Sequence, residues 1–411
     1  MHVAKSLRSG RTSLALVHYA APPVTGGVES IVAAHARLLR RTGHDVLVIA
    51  GRGDAERVPE ADSRHPQVEA VARRLADGDP ATAEFQALRN RLSERLEPLL
   101  AGRDVVVAHN VLTMPFNLPL AAALVDAGRP LVAWTHDIAW VNSRYAAYHR
   151  PGWPWSLLCQ PQPGVRYVAI SRVRQRELAE VLGLPLARVA VVPNGVDPAA
   201  FWGLGRRARD LVGRAGLDAA DPLVLVPVRI TRRKRLELAL DAAACLRQAH
   251  PGLRLMVSGP LGSHSADNVA YAADLRRRRT QLGLDGVVNF LHELAGPGGE
   301  HPVDDRTIAE LYRMADVVLL PSESEGFGLP VLEAGLSRAP LVCADIPVLR
   351  EVTGGGAWTF PAGSGGEAVA AATERALRTR AAQLRRRTLR GYGWPTVLER
   401  IERVIEASHG R

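Results

Sequence analysis

Short apolar runs alternate with amphipathic segments along most of the chain. The apolar runs are rich in valine, leucine and alanine, which is typical of strands buried on both faces of a parallel sheet. Between them, apolar residues recur at the spacing of a helix, as in segments 31–40 and 236–246. The alternation therefore predicts an α/β protein, with helices on both faces of doubly wound sheets.

The predicted strands form two series, which are separated by the turn-rich segment 193–198. The first series is 14–19, 46–50, 105–109, 131–135, 167–170 and 189–192, and the second is 223–228, 255–258, 287–291, 317–320, 341–343 and 358–360. We therefore expect two domains, over residues 1–197 and 198–393, which also fits a length of 411 residues. The polar and weakly patterned segment 51–80 predicts a long excursion of the first domain, and 394–411 predicts a final amphipathic helix.

Positive charge is spread along the chain, with a formal net charge of +10. Arginine supplies nearly all of it, since the only lysines are Lys5 and Lys234. The arginines are scattered over predicted helices, which favours solvated helix faces; a shallow patch for an anionic acceptor or membrane is the alternative. Because no nucleic-acid reading module accompanies the charge, we expect no nucleic-acid partner.

The apolar runs are far shorter than the ~20 residues that a membrane span needs. A basic segment, 1–10, precedes the first run, but that run is also too short for a signal peptide. Cys159, Cys245 and Cys343 are far apart and odd in number, so neither a disulfide framework nor a zinc site is indicated. We expect a cytoplasmic protein, with peripheral contact at the inner membrane face as the alternative.

The strongest chemical signal directly follows the predicted strand 317–320. Glu325 lies in the loop that leads to a helix, and Glu333 lies about one turn inside that helix. Gly326 and Gly328 allow a close approach of backbone to ligand, and the helix N-terminus suits a phosphate. Carboxylates accept hydrogen bonds from sugar hydroxyls. The pattern therefore predicts a site for a phosphorylated polyol; a capping and a surface glutamate would be the structural alternative.

A cationic pair follows the predicted strand 223–228. Arg229 and Lys234 are separated by four residues in a strand-to-helix loop, at the carboxyl end of a strand where α/β sheets bind ligands. Such a pair can hold a diphosphate and stabilise its charge as it leaves. A solvated basic turn is the alternative.

Two weaker signals lie in the first series. Gly26 and Gly27 form a turn before the first helix, without the dinucleotide fingerprint. His136 and Asp137 end the predicted strand 131–135, where a histidine can hydrogen-bond a sugar hydroxyl or transfer a proton, and His109 ends the neighbouring strand. For each of them a structural role is the alternative.

An aromatic segment, 140–158, follows the strand that carries His136. Aromatic rings commonly stack on sugars, so Tyr145 and Trp155 are candidates for an acceptor site, and a packed aromatic loop is an equal alternative. The strand-end residues His109 and Asp137 are further candidates for that acceptor site. The sequence Asp-Gly-Asp at 77–79 resembles a metal–nucleotide motif, but it lies in a polar stretch, so we interpret it as a loop and predict no metal site.

At these motifs the chain resembles glycosyltransferase family 4, over nearly its whole length. The resemblance rests on the glutamate pair around Gly326-Phe327-Gly328, on Arg229 with Lys234, on Gly26-Gly27, and on the segments 192–197 and 346–352. Val228 departs from the family, where many members have glycine. The family implies the GT-B fold, in which two Rossmann-like domains face a central cleft. It also implies that the final helix packs back on the acceptor-side, N-terminal domain.

Site roles follow from the resemblance. Arg229 and Lys234 would bind the donor diphosphate, Glu333 the ribose, and Glu325 the transferred sugar. Phe327, Gly328 and Leu329 would help to hold sugar and phosphate through the backbone, Gly27 would lie near the phosphate, and His136 near the donor sugar. No cofactor or metal is expected.

The expected activity is retaining transfer of a hexose from a nucleotide-diphosphate sugar, of the GDP-mannose or UDP-glucose type, to a hydroxyl of a small-molecule, saccharide or lipid acceptor. Two alternatives stay open. One is a nucleotide-sugar epimerase or hydrolase of the same fold, and the other is a non-catalytic protein that binds nucleotide sugars.

Overall fold

Two parallel sheets form the framework of the computed structural model, which describes residues 11–24, 26–259, 266–294 and 304–409. The basic segment 1–10 and residues 410–411 of the predicted final helix lie outside the described residues. The first sheet contains β1 (Ser13–Val17), β2 (Asp45–Ala50), β3 (Glu56–Arg57), β4 (Val105–His109), β5 (Leu131–Thr135), β6 (Val165–Ala169) and β7 (Val189–Val191). The second contains β8 (Leu223–Val226), β9 (Arg254–Val257), β10 (Val288–Phe290), β11 (Val317–Leu320), β12 (Leu341–Asp345) and β13 (Trp358–Pro361).

Helices connect the strands and cover both sheets. In chain order they are α1 (Gly27–Arg41), α2 (Pro66–Ala76), α3 (Thr82–Leu100), α4 (Leu118–Asp126), α5 (Arg172–Leu182), α6 (Pro198–Phe201), α7 (Arg206–Ala215), α8 (Leu236–Ala249), α9 (Ala266–Gln281), α10 (Asp305–Met314), α11 (Leu329–Ser337), α12 (Pro347–Thr353), α13 (Gly366–Leu377), α14 (Arg380–Tyr392) and α15 (Trp394–His409). None of these described helices is long and apolar enough to cross a bilayer.

Strand order is the same at the centre of both sheets. The first sheet runs β3-β2-β1-β4-β5-β6-β7, and the second runs β10-β9-β8-β11-β12-β13. In each sheet the first three strands are added one after another toward one edge. The chain then crosses back to the other side of the first strand, and the remaining strands are added toward the opposite edge. This is the doubly wound order, and it leaves a crevice at the carboxyl ends of the two strands where the direction reverses. Those strands are β1 and β4 in the first sheet, and β8 and β11 in the second.

The chain divides into two compact units. Unit 1 is Met1–Gly195 with Trp394–Arg411, and unit 2 is Val196–Gly393, so the division lies two residues before the predicted junction. Helix α15 belongs to unit 1, where its side chains Trp394, Val397 and Ile401 are buried in the core beside the sheet. Gly195 permits this packing, because a Cβ atom there would lie 2.3 Å from the Trp394 ring.

The predicted doubly wound α/β architecture with two domains is confirmed. All twelve predicted strands are present, with ends shifted by no more than two residues. Segment 51–80, predicted as a weakly patterned excursion of the first domain, contains β3 and α2. Helix α2 buries Val68, Val71 and Leu75, and its many polar residues face outward, which masked the helical pattern.

Candidate functional site

The two strongest sequence motifs lie on neighbouring loops of unit 2. One loop, 227–235, follows β8, and the other, 321–328, follows β11, and these two strands are hydrogen-bonded neighbours. The two loops therefore flank the crevice where the winding direction reverses. Two hydrogen bonds join them: the Glu323 N–H donates to the Arg233 carbonyl (3.0 Å), and the Arg233 guanidinium donates to the Ser324 carbonyl (3.2 Å).

Lys234 and Glu325 form an ion pair at the base of this crevice. The Lys234 ammonium Nζ lies 2.5 Å from Glu325 Oε1, and the two side chains are only 9% and 7% exposed. Burial of two opposite charges requires such a pairing, because each alone would be strongly disfavoured away from water. The structure thus brings together a residue predicted for the diphosphate and one predicted for the sugar.

Arg229 lies in the same loop but differs from Lys234 in its surroundings. Its side chain is exposed, and it makes no ion pair or hydrogen bond with any residue that the structure describes. The neighbouring Arg232, by contrast, pairs with Asp274 and lies over the Tyr271 ring. Arg229 is therefore a cation that a ligand could reach without displacing a described protein partner.

The glycine loop before α11 has a backbone that suits close contact with a ligand. Gly328 has a φ of +91°, and a Cβ atom there would lie 3.0 Å from Leu349 Cδ2, so this position favours glycine. Phe327 and Leu329 beside it are both more than half exposed. Helix α11 begins at Leu329 with no side-chain cap, which leaves free N–H groups in its first turn.

Glu333 is exposed in the second turn of α11, and Tyr312 holds its carboxylate. The Tyr312 hydroxyl donates to Glu333 Oε2 at 2.5 Å from helix α10, and the tyrosine ring is buried. Burial, and then the hydrogen bond to Glu333, raise the pKa of Tyr312, which therefore stays a donor. Sequence analysis missed Tyr312, because no motif marks a tyrosine on an adjacent helix.

Unit 1 gathers a second set of predicted residues at the ends of β4 and β5. Asn110, which follows β4 with a φ of +61°, accepts hydrogen bonds at its Oδ1 from the N–H groups of His136 (3.0 Å) and Asp137 (2.9 Å). This side chain fixes the turn after β5. Asp137 points outward, with 58% of its side chain exposed.

His109 corrects one expectation. It is fully buried at the end of β4, so its ring does not reach a ligand as an acceptor-site residue would. Its Nδ1 instead lies 3.2 Å from Nε2 of His136, which is 5% exposed. Burial, with a smaller effect of His18, lowers the pKa of His136 to about 4, so this ring is neutral near pH 7.

Two further histidines surround this pair. His18 follows β1 and bonds through Nδ1 to the His109 carbonyl (2.8 Å), and the His35 ring from α1 lies 5.2 Å from that of His109. Sequence analysis overlooked both. His18 has the same signal as His136, a histidine at a strand end, whereas His35 was detectable only as a polar residue on the buried face of α1.

Gly26 and Gly27 lie at the same edge of the first sheet. Gly26 caps the N-terminus of α1 with extended backbone, and Gly27 is the first residue of that helix. A Cβ atom on Gly27 would meet nothing within 4 Å. The backbone at Gly27 is therefore accessible to a ligand, whereas the Glu29 carboxylate lies against Gly26.

The aromatic segment after β5 divides into an exposed and a buried part. Tyr145 is half-buried in the short 3₁₀ helix Ser143–Tyr148, and its ring lies edge-on to that of Phe116 at 5.8 Å. Trp155 is buried, and its indole N–H donates to the Leu75 carbonyl at 3.2 Å. Trp155 is therefore a core residue rather than an acceptor-site residue, since the main chain of α2 already occupies its polar atom. Phe116, which the sequence did not single out, is 37% exposed beside Tyr145.

Within the described ranges, no group of three or more histidine, cysteine or acidic side chains is placed to hold a metal ion. The motif at 77–79 is a turn after α2, in which Asp79 pairs with Arg74. At the crevice of unit 2, Lys234 and Glu325 form an ion pair, and the loop that carries Lys234 also carries the exposed Arg229.

Comparison with known proteins gives family matches over both units. Residues 25–200 match the family described as Glycosyltransferase Family 4, and residues 210–390 match the family described as Glycosyl transferases group 1. Together these matches include every loop described above.

Individual relatives agree with this assignment. The D-inositol 3-phosphate glycosyltransferase of Thermomonospora curvata is 34% identical over 232 residues, which are 54% of this chain and 52% of that relative. The chain thus spans about half the length of that relative. The enzyme of the same name from Nocardiopsis dassonvillei is 29% identical over 341 residues, which are 78% of this chain and 74% of that relative.

A solved glycosyltransferase from Rickettsia africae aligns over 98% of this chain and 100% of its own, with 15% identity and a TM-score of 0.39. Because the two family matches take in both doubly wound units, the chain belongs to glycosyltransferase family 4, a family of transferase enzymes with the two-domain α/β GT-B fold.

Proposed function

We propose that the chain is a retaining hexosyltransferase, which moves a hexose from a nucleotide-diphosphate sugar of the GDP-mannose or UDP-glucose type to an acceptor hydroxyl. The observation that carries this proposal is the buried Lys234–Glu325 pair beside the unpartnered Arg229, at the crevice between β8 and β11. Cations form strong charge-assisted hydrogen bonds with a diphosphate, and a carboxylate accepts hydrogen bonds from hexose hydroxyls.

Each donor contact has a chemical reason. Arg229 and Lys234 bind the diphosphate and neutralise the charge that develops as it leaves, so no metal is required for this step. Glu325 holds Lys234 through one oxygen, and its other oxygen accepts a hexose hydroxyl. Glu333, oriented by Tyr312, accepts the ribose hydroxyls. Backbone N–H groups at Phe327, Gly328 and Leu329 bind the phosphate or the sugar.

Transfer then proceeds on one face of the sugar. The bond between C1 and the phosphate oxygen breaks, and the anomeric carbon acquires positive character. The acceptor hydroxyl attacks C1 from the side of the leaving group, and its proton passes to the leaving phosphate oxygen. One bond to C1 forms where one breaks, and the anomeric configuration is retained. The family resemblance assigns Gly27 to the phosphate and His136 to the donor sugar.

A polyol phosphate is the acceptor that we propose to test first, because two relatives are named D-inositol 3-phosphate glycosyltransferases. Asp137 and Tyr145 are the residues of unit 1 assigned to the acceptor, since both have exposed surface. A saccharide and a lipid are the other acceptor classes.

The first experiment is a thermal-shift panel of GDP, UDP, ADP and their hexoses. A ligand present at about 100 times its Kd should add roughly 2.7 kcal/mol of stability. We expect a shift with one nucleotide only, and its loss in Arg229→Ala and Glu333→Ala. Arg232→Ala is the matched control, because Arg232 lies in the same turn but is already paired with Asp274. No shift with any nucleotide would contradict the proposal.

The second experiment supplies the bound donor with inositol 3-phosphate and determines the product. We expect a glycoside with the donor's anomeric configuration; an inverted product would overturn the mechanism. Consumption of the donor without any acceptor would favour a hydrolase or an epimerase. Binding without any turnover, over a broad set of acceptors, would favour a non-catalytic protein.

A further inference from the structure

We propose that His109 is a positioning residue, which donates a hydrogen bond from its Nδ1–H to Nε2 of His136 and so keeps the proton of His136 on Nδ1. His136 would then present an N–H donor to its ligand, and would not accept a proton there. The assignment of His136 to the donor sugar rests on the proposed function, whereas the hydrogen-bond arrangement does not.

The two rings are held in register by the sheet. His109 is the last residue of β4 and is fully buried, while His136 follows β5, the neighbouring strand. The main chain of His136 is fixed by the side chain of Asn110, and the carbonyl of His109 accepts from His18. The 3.2 Å between Nδ1 of His109 and Nε2 of His136 is therefore set by strand pairing.

The remaining nitrogen of His109 decides the direction of this bond. Nε2 of His109 is buried and has no partner among the described residues. A neutral imidazole carries one N–H and one lone pair. If His109 accepted from His136, its own N–H would be on Nε2, as a buried donor without an acceptor. A buried orphan N–H is rarer and costlier than an unpaired lone pair, so His109 donates from Nδ1.

Both rings must be neutral for this argument, and their surroundings favour neutrality. The ionisable groups around the pair are His18 from the end of β1 and His35 from α1, with Glu29 acting on His18 from a distance. Burial lowers the pKa of all four histidines, and each of the other three further lowers that of His109. Trp134 stacks on His109 and adds no charge.

The outer nitrogen of His136 is then the functional atom. Nδ1 of His136 has no hydrogen-bond partner among the described residues. It is also not fully buried, so it lies on the small exposed edge of the ring. With Nε2 accepting from His109, Nδ1 carries the hydrogen. The ring is thus a neutral hydrogen-bond donor, suited to a hydroxyl or a ring oxygen of a sugar.

Nitrogen-15 NMR of the histidine side chains tests the tautomer without any substrate. The two neutral tautomers differ in which ring nitrogen carries hydrogen, and His136→Gln assigns the signals by removing one set. We expect wild-type His136 to be protonated at Nδ1 near pH 7. His109→Leu should lose this preference. His109→Asn should retain it, because its amide nitrogen takes the place of Nδ1 as a donor.

Kinetics provide the second readout. His109→Leu should lower kcat by about fivefold to tenfold, the size of one hydrogen bond, with little change in KM. His109→Asn should restore most of that loss. His44→Leu is the matched control, since His44 is another buried histidine of unit 1 but bonds the Thr12 amide instead; its kcat should stay near that of the wild type.

Two results would overturn the proposal: a wild-type His136 protonated at Nε2, or a folded His109→Leu with unchanged tautomer and kcat. If His109→Leu fails to fold, the wild-type spectrum and His109→Asn still decide. A protein that shows the Nδ1–H tautomer but transfers no sugar would refute the proposed function and leave this inference intact.

Discussion

Lys234 and Glu325 are 91 residues apart in the chain, yet Nζ of the lysine lies 2.5 Å from Oε1 of the glutamate in a nearly water-free setting. Each loop alone would carry one buried charge. Together the loops after β8 and β11 form a neutral pair, so the two motifs depend on one another for stability as well as for any ligand they bind.

Removal of either partner should therefore destabilise unit 2. We expect Lys234→Met and Glu325→Gln to lower the free energy of unfolding by about 3 kcal/mol each, because the remaining group is buried without its partner. The double variant should lose clearly less than the sum, with a coupling above about 1 kcal/mol. Denaturant unfolding of the four proteins measures this.

The matched control is the exposed pair Arg350–Asp345, whose side chains are 63% and 38% exposed. A double-mutant cycle on that pair should give a coupling below about 1 kcal/mol. Equal couplings in the two cycles would show that burial does not set the strength of the Lys234–Glu325 pair.

Tyr312 offers a test of how Glu333 is oriented. Tyr312→Phe removes the hydroxyl that holds the carboxylate but leaves the glutamate in place. We expect the Kd of the nucleotide diphosphate to rise roughly fivefold, or about 1 kcal/mol, because Glu333 remains in place but is no longer held in one orientation. Calorimetric titration measures it. Tyr271→Phe is the control, because Tyr271 donates to Glu237 at the same 2.5 Å on other helices; an equal rise in both variants would contradict the assignment of Glu333.

The buried histidines of unit 1 make its stability depend on pH. Burial lowers the pKa of His35 to about 3 and that of His136 to about 4, both well below the ordinary 6.5. As the pH falls below 6.5, the unfolded chain binds protons that the folded chain does not, so stability present at pH 7 is lost. Between pH 6.5 and 5, each such histidine costs about 2 kcal/mol.

Urea unfolding of unit 1 at pH 7 and pH 5 measures this effect. The loss of stability should be about 2 kcal/mol smaller in His35→Phe than in the wild type, because that variant has one fewer proton to take up on unfolding. Identical losses in the two proteins would mean that His35 is protonated in the folded state or that its burial is relieved at low pH.

The sequence predicts the position of a residue in the fold only where that position follows from the strand to which the residue belongs. Lys234 and Glu325 each follow an apolar strand, so the sequence alone predicts that each lies at the carboxyl end of a strand, where α/β sheets bind ligands. The roles assigned to them stay predictions. The burial of Trp155 could not be predicted in this way, because it depends on packing against α2. The polar residues of 51–80 made the helical pattern of α2 hard to recognise.

His109 and Tyr312 also make contacts that the sequence alone does not predict. His109 has the strand-end signal of an exposed residue, but the ring of a neighbouring strand's histidine covers it. Tyr312 contacts Glu333 only because α10 lies against α11. Neither the burial of His109 nor the contact of Tyr312 with Glu333 follows from local sequence, because each depends on which elements are neighbours in three dimensions and on the direction of one side chain.

Helix α15 also sets the order in which the protein can be completed on the ribosome. Unit 2 is a continuous stretch of chain and can fold as soon as it has left the exit tunnel. The core of unit 1 includes Trp394, Val397 and Ile401, which are synthesised only after the whole of unit 2. Unit 1 therefore leaves the ribosome first but completes its core last. Until α15 is synthesised, the apolar side chains that it covers in unit 1 stay exposed, and chaperones that act on nascent chains could bind them.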